Sequence, residues 1–220
     1  MKVAWLALAC ACALPAQVAE KANSGYKTPE GRQQVAARLT APDRDQRQKP
    51  EELVQAMELK PGMAVADIGT GVGYMLPYLS RAVGPTGRVL AQDIQSDFLE
   101  KATAKAEREK LSNVSFFKGA ERDPNLPENG VDVALALDSY HHWDYPEEML
   151  AALRKSLRDG GRFVVVEFYK REGAMPGGNA LEHIRADETE VIKEIEASGF
   201  RLLSKREHVP GSQYVLVFQK

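Results

Sequence analysis

Apolar residues along the chain follow two alternating rhythms. Short apolar runs at residues 64–68, 88–92, 114–118, 131–137, 162–168, 200–207 and 213–218 read as strands. Longer stretches with helical spacing lie at 74–83, 96–110, 146–157 and 187–198. The run Val131-Asp132-Val133-Ala134-Leu135-Ala136-Leu137 is almost continuously apolar, as expected of a strand covered on both faces. Strands that alternate with helices return in parallel, because a parallel return needs a crossover. The last two strands are joined only by a tight turn at Pro210-Gly211, so that pair must be antiparallel. The expected fold is α/β, with a mostly parallel, doubly wound sheet and helices on both faces.

Residues 20–50 break this rhythm. They are polar and charged, with Thr28-Pro29-Glu30 marking a capped helix start over 30–39. Asp43-Arg44-Asp45-Gln46-Arg47-Gln48-Lys49-Pro50 is a dense charge cluster before a second short helix at 50–59. It reads either as a solvated linker or as an arm folding over the active site. Three segments follow: a signal-like stretch at 1–19, a helical and charged cap at 20–50, and the α/β domain at 51–220.

The first of these carries one lysine, about a dozen apolar residues and then small ones, the order of a secretory signal and too short to span a bilayer comfortably. It predicts an exported, periplasmic protein with no stable membrane insertion after processing, or a cytoplasmic one if the segment is retained. Both cysteines, Cys10 and Cys12, fall inside it. A processed chain would therefore contain no disulfide, thiolate zinc site or cysteine nucleophile. A net charge of -2 offers no general attraction to nucleic acid, and a small-molecule partner is expected instead.

The candidate chemistry begins at Asp67-Ile68-Gly69-Thr70-Gly71-Val72-Gly73. A strand running into glycines and then a helix presents backbone N–H groups to a ligand. The third glycine comes one residue early for the dinucleotide spacing G-x-G-x-x-G. Asp67, beside the loop, would repel a pyrophosphate but suit a cationic or zwitterionic ligand. Asp93 closes the next strand, at the distance where an acidic side chain takes ribose hydroxyls.

With these residues the chain resembles the class I S-adenosylmethionine-dependent methyltransferases. The likeness continues through Lys118-Gly119-Ala120-Glu121, the strand ending at Asp138, and Leu157-Arg158-Asp159-Gly160-Gly161-Arg162, where the usual proline is replaced by Asp159. The resemblance implies seven strands in the order 3-2-1-4-5-7-6, strand 7 antiparallel, and S-adenosyl-L-methionine as cofactor. It further implies that the backbone from Gly69 through Thr70 and Gly71 to Gly73 takes the methionine part, with Asp67 near the amino acid end. Asp93 would hold the ribose, Ile94 an adenine face, and Ala120 and Glu121 the adenine edge, with Asp123 a competing candidate. Asp138 is a candidate both for cofactor binding and, with the histidines that follow it, for catalysis.

Ser139-Tyr140-His141-His142-Trp143-Asp144-Tyr145 follows Asp138. If the acceptor is a hydroxyl, a base is needed, and histidine suits neutral pH. His141 or His142 is the candidate; the alternative is an aromatic loop in which a histidine only caps the next helix. A metal site from Asp138, His141 and His142, with His183 from outside, is disfavoured because adjacent histidines point in different directions, and no metal is expected. Residues 173–179 have the composition of a flap. Two other activities fit parts of the pattern: an NAD-type oxidoreductase, disfavoured by Asp67, the glycine spacing and the lack of a Tyr-x-x-x-Lys pair, and a non-catalytic exported ligand-binding protein.

Overall fold

The computed structural model describes residues 17–220; the signal-like segment lies outside them except for its last three positions. A seven-stranded sheet in the order β3-β2-β1-β4-β5-β7-β6 organises the chain. Its strands are β1 (Ala64–Ile68), β2 (Arg88–Asp93), β3 (Val114–Lys118), β4 (Val131–Leu137), β5 (Leu157–Phe168), β6 (Arg201–Val209) and β7 (Gln213–Gln219). All neighbouring pairs are parallel except β5 with β7 and β6 with β7. The helices are α1 (Pro29–Leu39), α2 (Arg44–Gln48), α3 (Pro50–Ala56), α4 (Leu76–Val83), α5 (Ser96–Arg108), α6 (Pro146–Ser156), α7 (Ala180–His183) and α8 (Glu188–Ala197), with 3-10 turns at Ala22–Tyr26 and Tyr140–His142.

Alternation along the strands divides the core into two layers. From β4, Ala134 and Ala136 join Leu150 and Leu153 of α6 and Ile195 of α8 on one face. Val133, Leu135 and Leu137 join Leu76 and Leu79 of α4, Ala102 of α5 and Leu53 of α3 on the other. Both faces of the central strands are covered, which is why they are apolar at successive positions.

Two expectations need correction. The strand expected over 162–168 starts earlier, since Leu157 to Arg162 is already part of β5, which bulges there: Val131 pairs with Leu157, and Val133 already pairs with Arg162. Residues 173–179 are not a free flap, because Ala174 is fully buried against Ala180 and Ile184, and Asn179 caps α7 by accepting from the Leu181 N–H. The charge cluster at 43–50 folds as an arm, with Arg44 and Gln48 of α2 turned inward and buried.

Truncating a residue of the first layer should leave a cavity that its neighbours fill only in part. Leu153→Ala is expected to cost about 2–5 kcal/mol, whereas Leu203→Ala, at a side chain 43% exposed, should change stability by about 0.5 kcal/mol or less. Urea denaturation midpoints of the two variants check the assignment.

Candidate functional site

Four carboxylates stand side by side at the carboxyl ends of β2, β1, β4 and β5: Asp93, Asp67, Asp138 and Glu167. Parallel strands that stop together, each with an acid at or beside its last residue, bring them to one edge of the sheet. Each is held by uncharged donors. Asp67 accepts from Thr70 Oγ1 at 2.7 Å. Asp93 accepts from the Gly71 N–H and the Gln95 N–H, both at 2.8 Å. Asp138, at φ 50°, accepts from the side-chain amides of Gln48 and of Gln213, the latter at 2.7 Å. Burial raises the pKa of all four, to about 6 for Asp67 and Asp93 and to about 7 for Asp138 and Glu167. Glu167 adds its charge to the burial at Asp138.

The loop after β1 is shaped by glycines that pack against protein. Gly69 takes φ 76°, and a Cβ there would meet Ser139 Cβ at 2.8 Å. Gly73, at φ 82°, faces Leu76 and Ala102, so its missing side chain lets α4 and α5 close on the loop. The sequence reading gave both glycines to the ligand's approach; here Gly73 serves helix packing.

A cavity of about 320 Å³ opens over the loop. Its floor includes Gly69, Thr70, Gly71, Asp93, Ile94 and Asp138; its roof comes from the cap, with Asn23, Tyr26, Leu39 and Arg44. Arg44 is almost fully buried, lies 4.0 Å above the Tyr74 ring and donates to the Leu39 carbonyl at 2.7 Å. Burial pushes the Tyr26 phenol up to about 12, with Asp93 adding to the effect, so it stays protonated.

The two histidines after β4 have separate places. His141 is buried, its Nδ1 lying 2.8 Å from each Glu167 oxygen. His142 lines the cavity, with Nδ1 at 2.9 Å from Asn23 Oδ1 and Nε2 at 3.4 Å from the Tyr26 hydroxyl. Desolvation holds both well below the ordinary histidine range, hence neutral. The two rings do not diverge. They sit on a 3-10 turn, their centroids are 4.0 Å apart, and the His183 ring lies 4.9 Å from one and 5.3 Å from the other.

Residues 66–163 match the methyltransferase domain model. A solved structure of an S-adenosylmethionine-dependent methyltransferase from Aquifex aeolicus is 30% identical with a TM-score of 0.79, over 84% of this chain and 97% of that one. The chain belongs to the class I S-adenosylmethionine-dependent methyltransferases. The ubiquinone/menaquinone biosynthesis C-methyltransferases UbiE of Burkholderia cenocepacia and Pseudomonas aeruginosa are each 30% identical, over 51% and 58% of this chain and 46% and 48% of theirs. The chain thus spans about half the length of these curated relatives.

Membership implies S-adenosyl-L-methionine as the cofactor and displaces the NAD-type alternative. Of the positions that the sequence assigned to this methyltransferase's cofactor, Gly69, Thr70, Gly71, Asp93, Ile94, Glu121 and Asp138 line the cavity. Asp67, Gly73 and Ala120 do not: Asp67 lies behind the loop and ties down Thr70, while Ala120 donates its N–H to the Asp123 carbonyl at the rim. Among the tentative bases, His142 reaches the cavity and His141 does not. Sequence reasoning missed Asn23, Tyr26, Arg44, Gln48 and Gln213. Only the inward arm reading of the charge cluster pointed toward Arg44 and Gln48.

The raised carboxylates and the lowered histidines pull the pH dependence of stability in opposite directions, so a difference measurement isolates one group. Asp67 binds its proton more tightly folded than unfolded, with a folded pKa of about 6 against an ordinary aspartate value of 3.8. Its contribution is fully present below about pH 4 and is lost as pH rises through about 6. Urea unfolding of Asp67→Asn and parent across pH 4–7.5 should show the parent losing on the order of 2–3 kcal/mol relative to the variant. A pH-independent difference would contradict the burial argument.

Proposed function

We propose that the protein transfers the methyl group of S-adenosylmethionine to an oxygen, nitrogen or carbon nucleophile of a small molecule. The observation that carries this reading is that Asp93, the glycine loop, Asp138 and His142 face one cavity. When bound, the cofactor supplies an electrophilic methyl on a sulfonium, whose departure leaves a neutral thioether.

The chain's own residues would position, shield and neutralise. Each Asp93 oxygen accepts a single backbone N–H and keeps lone pairs for ribose hydroxyls. Arg44 has donors beyond its bond to the Leu39 carbonyl, suited to the amino acid carboxylate. Glu121 and Ile94 border the adenine end. The cap excludes water, leaving alignment as the principal contribution to rate. His142 offers a neutral Nε2 to the proton of a hydroxyl or amine acceptor, because Asn23 Oδ1 holds the ring proton on Nδ1. With the cofactor and an acceptor bound, His142 would take any proton displaced from the nucleophile.

Calorimetric titration with S-adenosylhomocysteine tests the reading. The parent should bind one equivalent, and Asp93→Ala should bind at least tenfold more weakly, about 1.4 kcal/mol, with an unchanged circular dichroism spectrum. Absence of binding by the parent removes the cofactor assignment, and equal binding by the variant removes the ribose role. Binding with no transfer to any acceptor offered would favour a non-catalytic ligand-binding protein.

A further inference from the structure

His141, His142 and His183 each present one ring nitrogen within 4.8 Å of the other two. The Nδ1 nitrogens of the first pair are engaged from outside. His141 gives Nδ1–H to the Glu167 carboxylate at 2.8 Å. Asn23 donates its amide N–H groups to the His142 carbonyl at 3.0 Å and to Asp144 at 2.9 Å, which leaves its oxygen to accept from His142 Nδ1–H. Both rings thereby carry the proton on Nδ1 and the lone pair on Nε2.

We infer that these three histidines form a binding site for one divalent transition-metal ion of the zinc class. Imidazole nitrogens suit such ions, and bonds of about 2.0–2.1 Å around a tetrahedral centre require the three nitrogens to draw in by roughly an ångström. His183 can supply that movement, since it is only half-buried and sits on the four-residue helix α7. Glu167 behind His141 is the carboxylate–histidine support that orients metal-bound imidazoles. It also supplies charge, being almost fully buried with only the His141 ring and two backbone N–H groups as donors. An ion on His141 would offset that buried charge.

Three protein ligands leave a tetrahedral ion one position, for water or a heteroatom of an acceptor. His142 belongs to both the cluster and the cavity wall, so its Nε2 serves as proton acceptor only in the metal-free protein and as a ligand once an ion is bound. Coordination of an acceptor rests on the methyl-transfer reading; metal binding does not.

The metal-stripped full chain, titrated with Zn²⁺ by calorimetry and with Co²⁺ by visible absorption, provides the test. One equivalent should bind with a tetrahedral nitrogen-ligand spectrum that lacks the intense thiolate band Cys10 and Cys12 would give. His183→Ala should lower affinity by about 100-fold or more and Glu167→Gln by about 10–100-fold. His183→Ala should retain S-adenosylhomocysteine binding, which shows that it folds. A parent that binds neither ion through nitrogen, or a His183→Ala protein that binds both as the parent does, overturns the site. Failure of S-adenosylhomocysteine binding beside intact metal binding would overturn the cofactor reading alone.

Discussion

Burial of negative charge at one edge of the sheet is the constraint on which this structure depends. Asp93, Asp67, Asp138 and Glu167 stand on four adjacent strands, and a carboxylate removed from water is costly unless charge or hydrogen bonds replace its hydration. Backbone N–H groups, one hydroxyl, two amides and the His141 ring supply the hydrogen bonds. Compensating positive charge is scarce, with Arg44 the cation that most lowers Asp67 and Asp138. A sulfonium beside an ammonium group would supply it over the glycine loop, and a metal ion would do so at the Glu167 end.

The cap follows from the same constraint. Gln48 of α2 and Gln213 of β7 each donate to one oxygen of Asp138, while the Gln48 carbonyl lies 2.8 Å from His208 Nε2 and Gln213 reaches Gln48 Oε1 at 3.0 Å. The bonds that satisfy one buried acid thereby tie the N-terminal segment to the far strands. Asn23 and Tyr26 extend the roof to His142. The roofed cavity is a consequence of closing these polar contacts.

Much of the scaffold was legible because it rests on local periodicity. Apolar strands separated by amphipathic helices, acids at the strand ends and a glycine turn after Asp67 are all features of short windows. The sheet order came with the family resemblance, which those same windows carry. What escaped depends on distant pairs: Gln48 and Gln213 lie 90 and 75 positions from Asp138, and no local pattern joins them. Gly73 was read as a ligand glycine because its role is set by Ala102, a helix away. The histidine pair was expected to diverge, but the two rings lie 4.0 Å apart, and His183, which the sequence offered only as an outside ligand, completes the cluster from α7.

The central claim is that the cavity beneath the cap holds the cofactor with its ribose on Asp93 and its sulfur toward Asp138 and His142. A crystal structure of the protein with S-adenosylhomocysteine measures this most directly. The account predicts both ribose hydroxyls within hydrogen-bond distance of the Asp93 carboxylate and the adenine between Ile94 and Glu121. Ligand bound outside this cavity, or a ribose held by other residues with Asp93 still engaged only by the Gly71 and Gln95 N–H groups, would contradict it.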